Sequence, residues 1–328
     1  MLHRLPATHC PGQRRRGQRI DCVRRAAYCS DVEDSQVQPA CIARVLRFPI
    51  PLPSPTLRPQ RMKKYWHVFN IGIQNTLVYR ANFFFRSAAG LIPLFATLSI
   101  WRAVYDSKDG NDVAGYTLAG MVSYYLLVAM IDVLTAVAED DWQVAGDIKD
   151  GNISQFLLKP INYLGYRLTL YASGRIIFTI CALVPVGLFV FFNRQHLALP
   201  ADAGTWALFT VSLVLTALLQ FFLSYTVALL AFWVLDVSTF IFIFYSFEYV
   251  ASGHLFPLDI LPAWATKLLH FTPFPYQLFF PVSVGLGRVT GAAVWQGLIV
   301  QACWVVAAWL LARFVWSRGV RKYSAVGG

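Results

Sequence analysis

The sequence predicts an all-α polytopic membrane protein, and three observations carry that prediction. Of its 328 residues 57% are hydrophobic and only 14% charged, with a mean hydropathy of +0.51, outside the range of ordinary soluble domains. Six stretches reach the roughly 20 mostly apolar residues that a bilayer-crossing helix needs. Between the last two, Gly253–Gly287 is rich in aromatic residues yet carries Pro257, Pro262, Pro273, Pro275 and Pro281, which forbid one continuous helix. Irregular backbone at membrane depth survives only against protein or a water-filled cavity. The segment therefore reads as a re-entrant or interfacial element and points to a transporter.

Residues 1–61 differ in composition from everything that follows. They hold eleven arginines, no lysine, four acidic residues and four of the six cysteines, so +7 of the net +11 lies here. The +4 left on the remainder gives no support for a nucleic-acid partner. No apolar run precedes the arginines, which excludes a secretory signal. Cys10, Cys22, Cys29 and Cys41 include no C-x-x-C pair and give no zinc pattern. The expectation is a disordered leader, or a start codon placed upstream of a natural start at Met62, with an arginine-rich mitochondrial transit peptide as the alternative. Cys181 and Cys303 stand alone in apolar runs and read as core thiols.

From Met62 to Arg80 the chain is amphipathic. Trp66, Phe69, Ile73 and Leu77 recur at helical spacing, while Lys63, Lys64, Asn70 and Gln74 lie elsewhere on the wheel, the pattern of a helix lying along the membrane surface. The six spans are expected near 83–104, 116–138, 168–193, 206–234, 237–256 and 292–314. Leu235-Asp236-Val237 alone separates the fourth from the fifth, with Asp236 capping a tight turn. With the N-terminus inside, the inner flanks carry eleven lysines and arginines against five outside. That places both termini in the cytoplasm and Gly253–Gly287 on the outer side. Trp101, Trp206, Trp264 and Trp316 fall near span ends, where indoles favour the interface. No internal repeat is visible, which weakens an inverted-repeat secondary transporter.

Several chemistries lack an anchor. No Gly-Lys dipeptide occurs, so there is no P-loop; H-E-x-x-H and G-x-S-x-G are absent too. Gly285-Leu-Gly287 is followed by Gly291 rather than a glycine at 290, and it follows no strand, so it is no dinucleotide fingerprint. No catalytic, metal-binding or cofactor-binding residues are expected. The inner loop between the second and third spans is more informative. Within it, Asp150 to Pro160 (DGNISQFLLKP) reads as one short helix capped by Asp150 or Asn152 and ended by Pro160. Ile153, Phe156 and Leu157 then share an apolar face, which must pack on its own protein or meet a partner.

Two stretches resemble a known family. The loop Ile148-Lys-Asp-Gly-Asn-Ile-Ser-Gln-Phe-Leu-Leu-Lys-Pro-Ile161 is similar to the Gly-x-Ile…Leu-x-Lys-Pro-Ile pattern of the transmembrane subunit of bacterial type-2 ATP-binding-cassette exporters whose ATPase is a separate chain. The outer stretch Phe256-Pro-Leu…Leu261-Pro-x-Trp264…Pro273-Phe-x-x-Tyr276…Pro281 is similar to that family's segment before the last span. The resemblance covers Met62 to the C-terminus and implies an interfacial helix at 62–80 and a six-span permease domain over 62–328. It implies a coupling helix near 148–160, with Gly151, Ile153, Phe156, Leu157, Lys159 and Pro160 facing the ATPase. Outer re-entrant helices near 257–287 follow as a gate region containing Phe256, Pro257, Pro262, Trp264, Pro273, Tyr276 and Pro281. The chain would be a multi-pass protein of the bacterial inner membrane, embedded in lipid, paired with a second permease copy or a sister permease. It would bind no cofactor; ATP and Mg would sit in the partner ATPase.

Charges at bilayer depth are costly and face a bundle interior or cavity. Asp132 and Arg175, both near the inner side, are expected to pair, and Arg86 to snorkel. Glu248 is deeper, has no partner nearby in sequence, and is the stronger pathway candidate. Gln220 and Gln301 can bond across helices. A proton-coupled secondary transporter using Asp132 and Glu248 is the competing reading.

Overall fold

The computed structural model describes residues 60–78, 80–107, 112–113, 115–137, 140–193, 200, 202–234 and 236–323, all within one compact unit, Arg58–Gly328. The expectations for the leader fall outside the described residues, except that Gln60 and Arg61 already begin the first helix. The described residues are helical, with no strand beyond an isolated bridge between Val113 and Tyr116.

Helix α1 (Gln60–Val78) is the expected amphipathic element, and its closest approaches to the protein are made at glycines. Gly72 seats on α7 (Tyr163–Asn193) so closely that a Cβ there would lie 2.1 Å from the Ser173 hydroxyl, and Tyr65 fills the notch at Gly165. Trp66 and Leu77, from the apolar stripe, stay exposed. The first expected span is two helices, α2 (Arg80–Ala89) and α3 (Leu91–Ser107), broken at Gly90. Pro93 falls in the first turn of α3, where a missing N–H costs little. The Arg86 side chain lies outside the described residues.

Among the described residues, four helices are long and apolar enough to cross a membrane. These are α4 (Leu118–Thr135), most of α7, α8 (Ala203–Ala228) with its 3₁₀ continuation Leu229–Phe232, and α12 (Ala292–Lys322). Thr117 caps α4 by accepting from the Gly120 N–H, and Asp202 caps α8 by accepting from Thr205 N–H. Helices α7 and α12 extend past the third and sixth expected spans, since α7 starts at Tyr163 and α12 runs on to Lys322.

The fifth expected span, 237–256, is corrected most. Helix α9 (Ser238–Ala251) has 14 residues, a rise of about 21 Å against a hydrocarbon core of about 30 Å. Asp236 does organise the turn before it, accepting from the Ser238 N–H at 2.9 Å. After Ala251 the chain leaves the helix because Gly253 takes φ +100°, and a Cβ there would meet the Tyr124 hydroxyl at 2.8 Å. The freed carbonyls are not left bare. Tyr124 donates to Gly253 O at 2.7 Å and Tyr125 donates to Leu255 O at 2.8 Å, so α4 supplies the hydrogen bonds that the helix gave up. A 3₁₀ turn at Leu258–Ile260, α10 (Ala263–His270), a second 3₁₀ turn at Phe274–Tyr276 and α11 (Phe279–Gly285) complete the broken segment. The Phe279 N–H bonds back to Ser252 O at 3.1 Å.

Gln301, fully buried on α12, locks this segment to the bundle. Its amide donates to Ser212 O (3.1 Å), Thr216 Oγ1 (3.0 Å) and Tyr276 O (2.9 Å), and it accepts from the Ser212 hydroxyl at 3.0 Å. Gln301 thus bonds across helices as expected. Gln220 does not: its Oε1 is buried without a partner.

Candidate functional site

Two places concentrate polar or exposed chemistry. The first is a cavity of ≈ 180 Å³ between α4, α8 and α9, lined by Asp132, Gln220, Ser224, Tyr245, Glu248, Tyr249 and His254, with Ala136 and Val137 as apolar wall. Asp132 faces it from the last turns of α4. Its partner is not Arg175 but His254, at 2.8 Å from Nε2. Arg175 instead lies over the Tyr171 and Phe178 rings, 5.9 and 5.0 Å from their centroids. The break after α9 makes the difference, because it brings His254 back against α4 where a continuous helix would have carried it away.

His254 is held from three sides. The Ser252 hydroxyl donates to Glu248 O at 2.7 Å, so it accepts from His254 Nδ1, also at 2.7 Å. Nε2 then donates to Asp132, and two donating ring nitrogens are the bonding pattern of an imidazolium. Tyr249 stacks on the ring at 5.1 Å. Glu248, only 6% exposed, points its carboxyl at the same cavity and makes no hydrogen bond of normal length. Gln277, from the broken segment, lies near enough to act on it, yet neither of that buried amide's atoms is hydrogen-bonded.

The cavity is tied to the loop after α4 through Tyr245. Its hydroxyl donates to the Asp141 carboxylate and accepts from the Ser224 hydroxyl at 2.8 Å. Asp141 opens α5 (Asp140–Lys149) and is almost completely buried. Burial raises its carboxyl above the ordinary aspartate range, with the Tyr245 hydrogen bond opposing.

The second place is the loop Asp150–Pro160. Helix α6 (Ile153–Leu157) begins without a side-chain cap, since neither Asp150 nor Asn152 provides one. Gly151, at φ +79°, makes the turn. Its carbonyl accepts from the Ser154 hydroxyl at 2.6 Å and from Tyr323 Oη at 3.2 Å. The apolar face expected for Ile153, Phe156 and Leu157 splits. Ile153 is fully buried, and Phe156 packs against Tyr163 and Tyr166 with centroids 5.1 and 5.0 Å apart. Leu157 (48% exposed) and Leu158 (89%) point away, with Lys159 and Pro160 also exposed. Tyr163 underpins the loop, donating to Asp147 at 2.7 Å and stacking on Trp316 at 5.1 Å.

The remaining expected residues scatter along the broken segment. Pro257 and Pro281 are buried, Phe256, Pro273 and Tyr276 are half-buried, and Pro262 and Trp264 (71%) are exposed. Sequence reasoning missed His254, Tyr245, Asp141 and Gln277. One signal was available: each is a polar residue inside or bordering an apolar run, as Glu248 is.

Four helices of membrane length among the described residues, with an ion pair and a buried carboxylate around a cavity between them, are the features of a multi-pass membrane protein. Residues 91–327 match the family described as ABC-2 family transporter protein, and the chain belongs to that family. It is a membrane component of an ATP-binding-cassette transporter, a class that works with an ATP-binding-cassette ATPase. No curated protein matches the chain.

Proposed function

We propose that this chain is the permease subunit of an exporter, driven by an ATPase carried on a separate chain. The observation that supports this most directly is the loop at 148–160, where a buried base presents an exposed ridge. Ile153 and Phe156 anchor it, Gly151 is tied to Tyr323, and Leu157, Leu158, Lys159 and Pro160 face outward. An exposed apolar ridge on a rigid base suits docking to a partner. The missing P-loop is consistent with ATP and Mg residing in that partner.

The same reading makes the protein a six-span, multi-pass component of the bacterial inner membrane with both termini cytoplasmic. Two permeases, identical or sister chains, assemble with two ATPase domains. Closure of the ATPases on ATP moves the ridge, and Tyr163 and the α5–Tyr245 link carry that motion toward the cavity; the broken segment 253–287 forms the outer gate.

Reconstitution tests it. Proteoliposomes holding the chain and its ATP-binding-cassette ATPase partner should transport in an ATP-dependent way, and the chain alone should not. Transport by the chain alone would overturn the proposal.

A further inference from the structure

The geometry points to the cavity beneath the broken segment as a binding site for a protonated amine carried on an apolar or aromatic body, recognised by the buried Glu248 carboxylate. In naming a substrate class the inference rests on the permease reading above, although the binding itself can be tested without it.

Charge around the cavity does not balance. Asp132 is matched by the His254 imidazolium at 2.8 Å, and the ring's other nitrogen is occupied by Ser252 at 2.7 Å. That pair is internally neutral, although the Asp132 side chain is 42% exposed and its second oxygen still faces the cavity. Glu248 is left over, more than nine-tenths buried and lining the cavity, with the Gln277 amide near enough to act on it. Two carboxylates then share the one His254 cation, and a second cation delivered by a ligand relieves the cost of burying the excess negative charge.

A second observation comes from a different helix. Gln220, on α8, also lines the cavity, and its Oε1 is buried with no partner. That unsatisfied atom is an acceptor, as are the Glu248 and Asp132 carboxylate oxygens that line the same cavity, so the complementary ligand is one that brings N–H donors. An anion or a donor-poor neutral molecule would leave them bare. The rest of the wall is apolar or aromatic: Ala136 and Val137 on one side, the Tyr245 and Tyr249 rings on the other. Aromatic faces favour a cation over an anion. At ≈ 180 Å³ the cavity is smaller than a drug-sized pocket, so it takes the ammonium head and adjoining ring of a ligand.

Benzylammonium, benzyl alcohol and benzoate share one shape and differ in charge, which makes them suitable probes. Their binding to the chain in lipid nanodiscs, without ATPase or nucleotide, is measured by calorimetry at neutral pH. Benzylammonium is expected to bind at least tenfold more tightly than benzyl alcohol, and benzoate not at all. Glu248→Gln should erase the tenfold preference and leave benzyl alcohol unchanged. Gln220→Leu should weaken benzylammonium a few-fold, and it keeps the test decisive if Glu248→Gln folds poorly. Equal binding of the amine and the alcohol would overturn the site, as would a preference surviving in Glu248→Gln or binding by none of the three. An amine that binds as expected but is never moved by ATP in proteoliposomes would leave the site standing and sink the transport reading instead.

Discussion

Substituting Gly253 by alanine tests whether the broken segment is held by α4 as described. Gly253 sits at φ +100°, and its added Cβ would lie 2.8 Å from Tyr124 Oη, while Phe279 and Leu258 at 3.4 and 3.6 Å would be ordinary contacts. A non-glycine residue in such a backbone region costs about 1–3 kcal/mol. Pushing Tyr124 aside also breaks its hydrogen bond to Gly253 O, worth about 1 kcal/mol with more if the buried carbonyl is orphaned. Gly253→Ala should therefore destabilise the protein by about 2–5 kcal/mol. Tyr124→Phe removes the hydrogen bond and orphans the Gly253 carbonyl without straining the backbone, at about 1–3 kcal/mol. Because removing the hydroxyl also removes the steric obstacle, the double variant should be less destabilised than the sum of the singles. Thermal unfolding in detergent, read for all four proteins, gives the cycle. A neutral Gly253→Ala, or strict additivity in the double variant, would refute the claim that Tyr124 and Gly253 form one interlocked contact.

Other outcomes follow from the same contacts. Gln301→Leu strands the Tyr276 carbonyl and the Ser212 and Thr216 groups, so unfolding should show a loss on the order of 3 kcal/mol, whereas an exposed change such as Ser317→Ala should show almost none. Asp141 has a raised carboxyl value in the folded protein. Its contribution to stability is therefore fully present below the ordinary aspartate value and is lost as pH rises through the raised one. Asp141→Asn should flatten the slope of stability against pH in that window, and an unchanged slope would count against the burial effect. For topology, single cysteines at Asp259 and Ser317 should label from opposite sides of the membrane; labelling from one side would overturn the six-span arrangement.

Much of this fold was legible because its signals are local. Five prolines in Gly253–Gly287 announce broken backbone, and Asp236 between two apolar runs announces a turn. Other features depend on partners far away in the chain. The early end of α9 is stabilised by Tyr124 and Tyr125, 129 and 130 positions distant from the carbonyls they bond, and nothing near 251 in the sequence reveals those hydroxyls. For the same reason the sequence suggests Arg175 as the partner of Asp132, whereas the partner is His254, 122 positions away. Helix α6 shows a third kind of limit. Apolar spacing placed Ile153, Phe156 and Leu157 on one side, but five residues cannot fix which part of that side turns inward. Tyr163, Tyr166 and Tyr323 decide it.

The split of that short helix supplies the most direct test of the central claim, that an ATPase docks on the 148–160 ridge. Leu158→Asp, at a position 89% exposed, should leave thermal stability unchanged and abolish co-purification of the ATPase, with Leu157→Asp acting in the same direction. Ile153→Asp, at a fully buried position, should instead unfold or severely destabilise the chain, at a cost on the order of 4 kcal/mol. A folded Leu158→Asp protein that retains its ATPase at wild-type stoichiometry would contradict the account; loss of the ATPase with the fold intact is what it predicts.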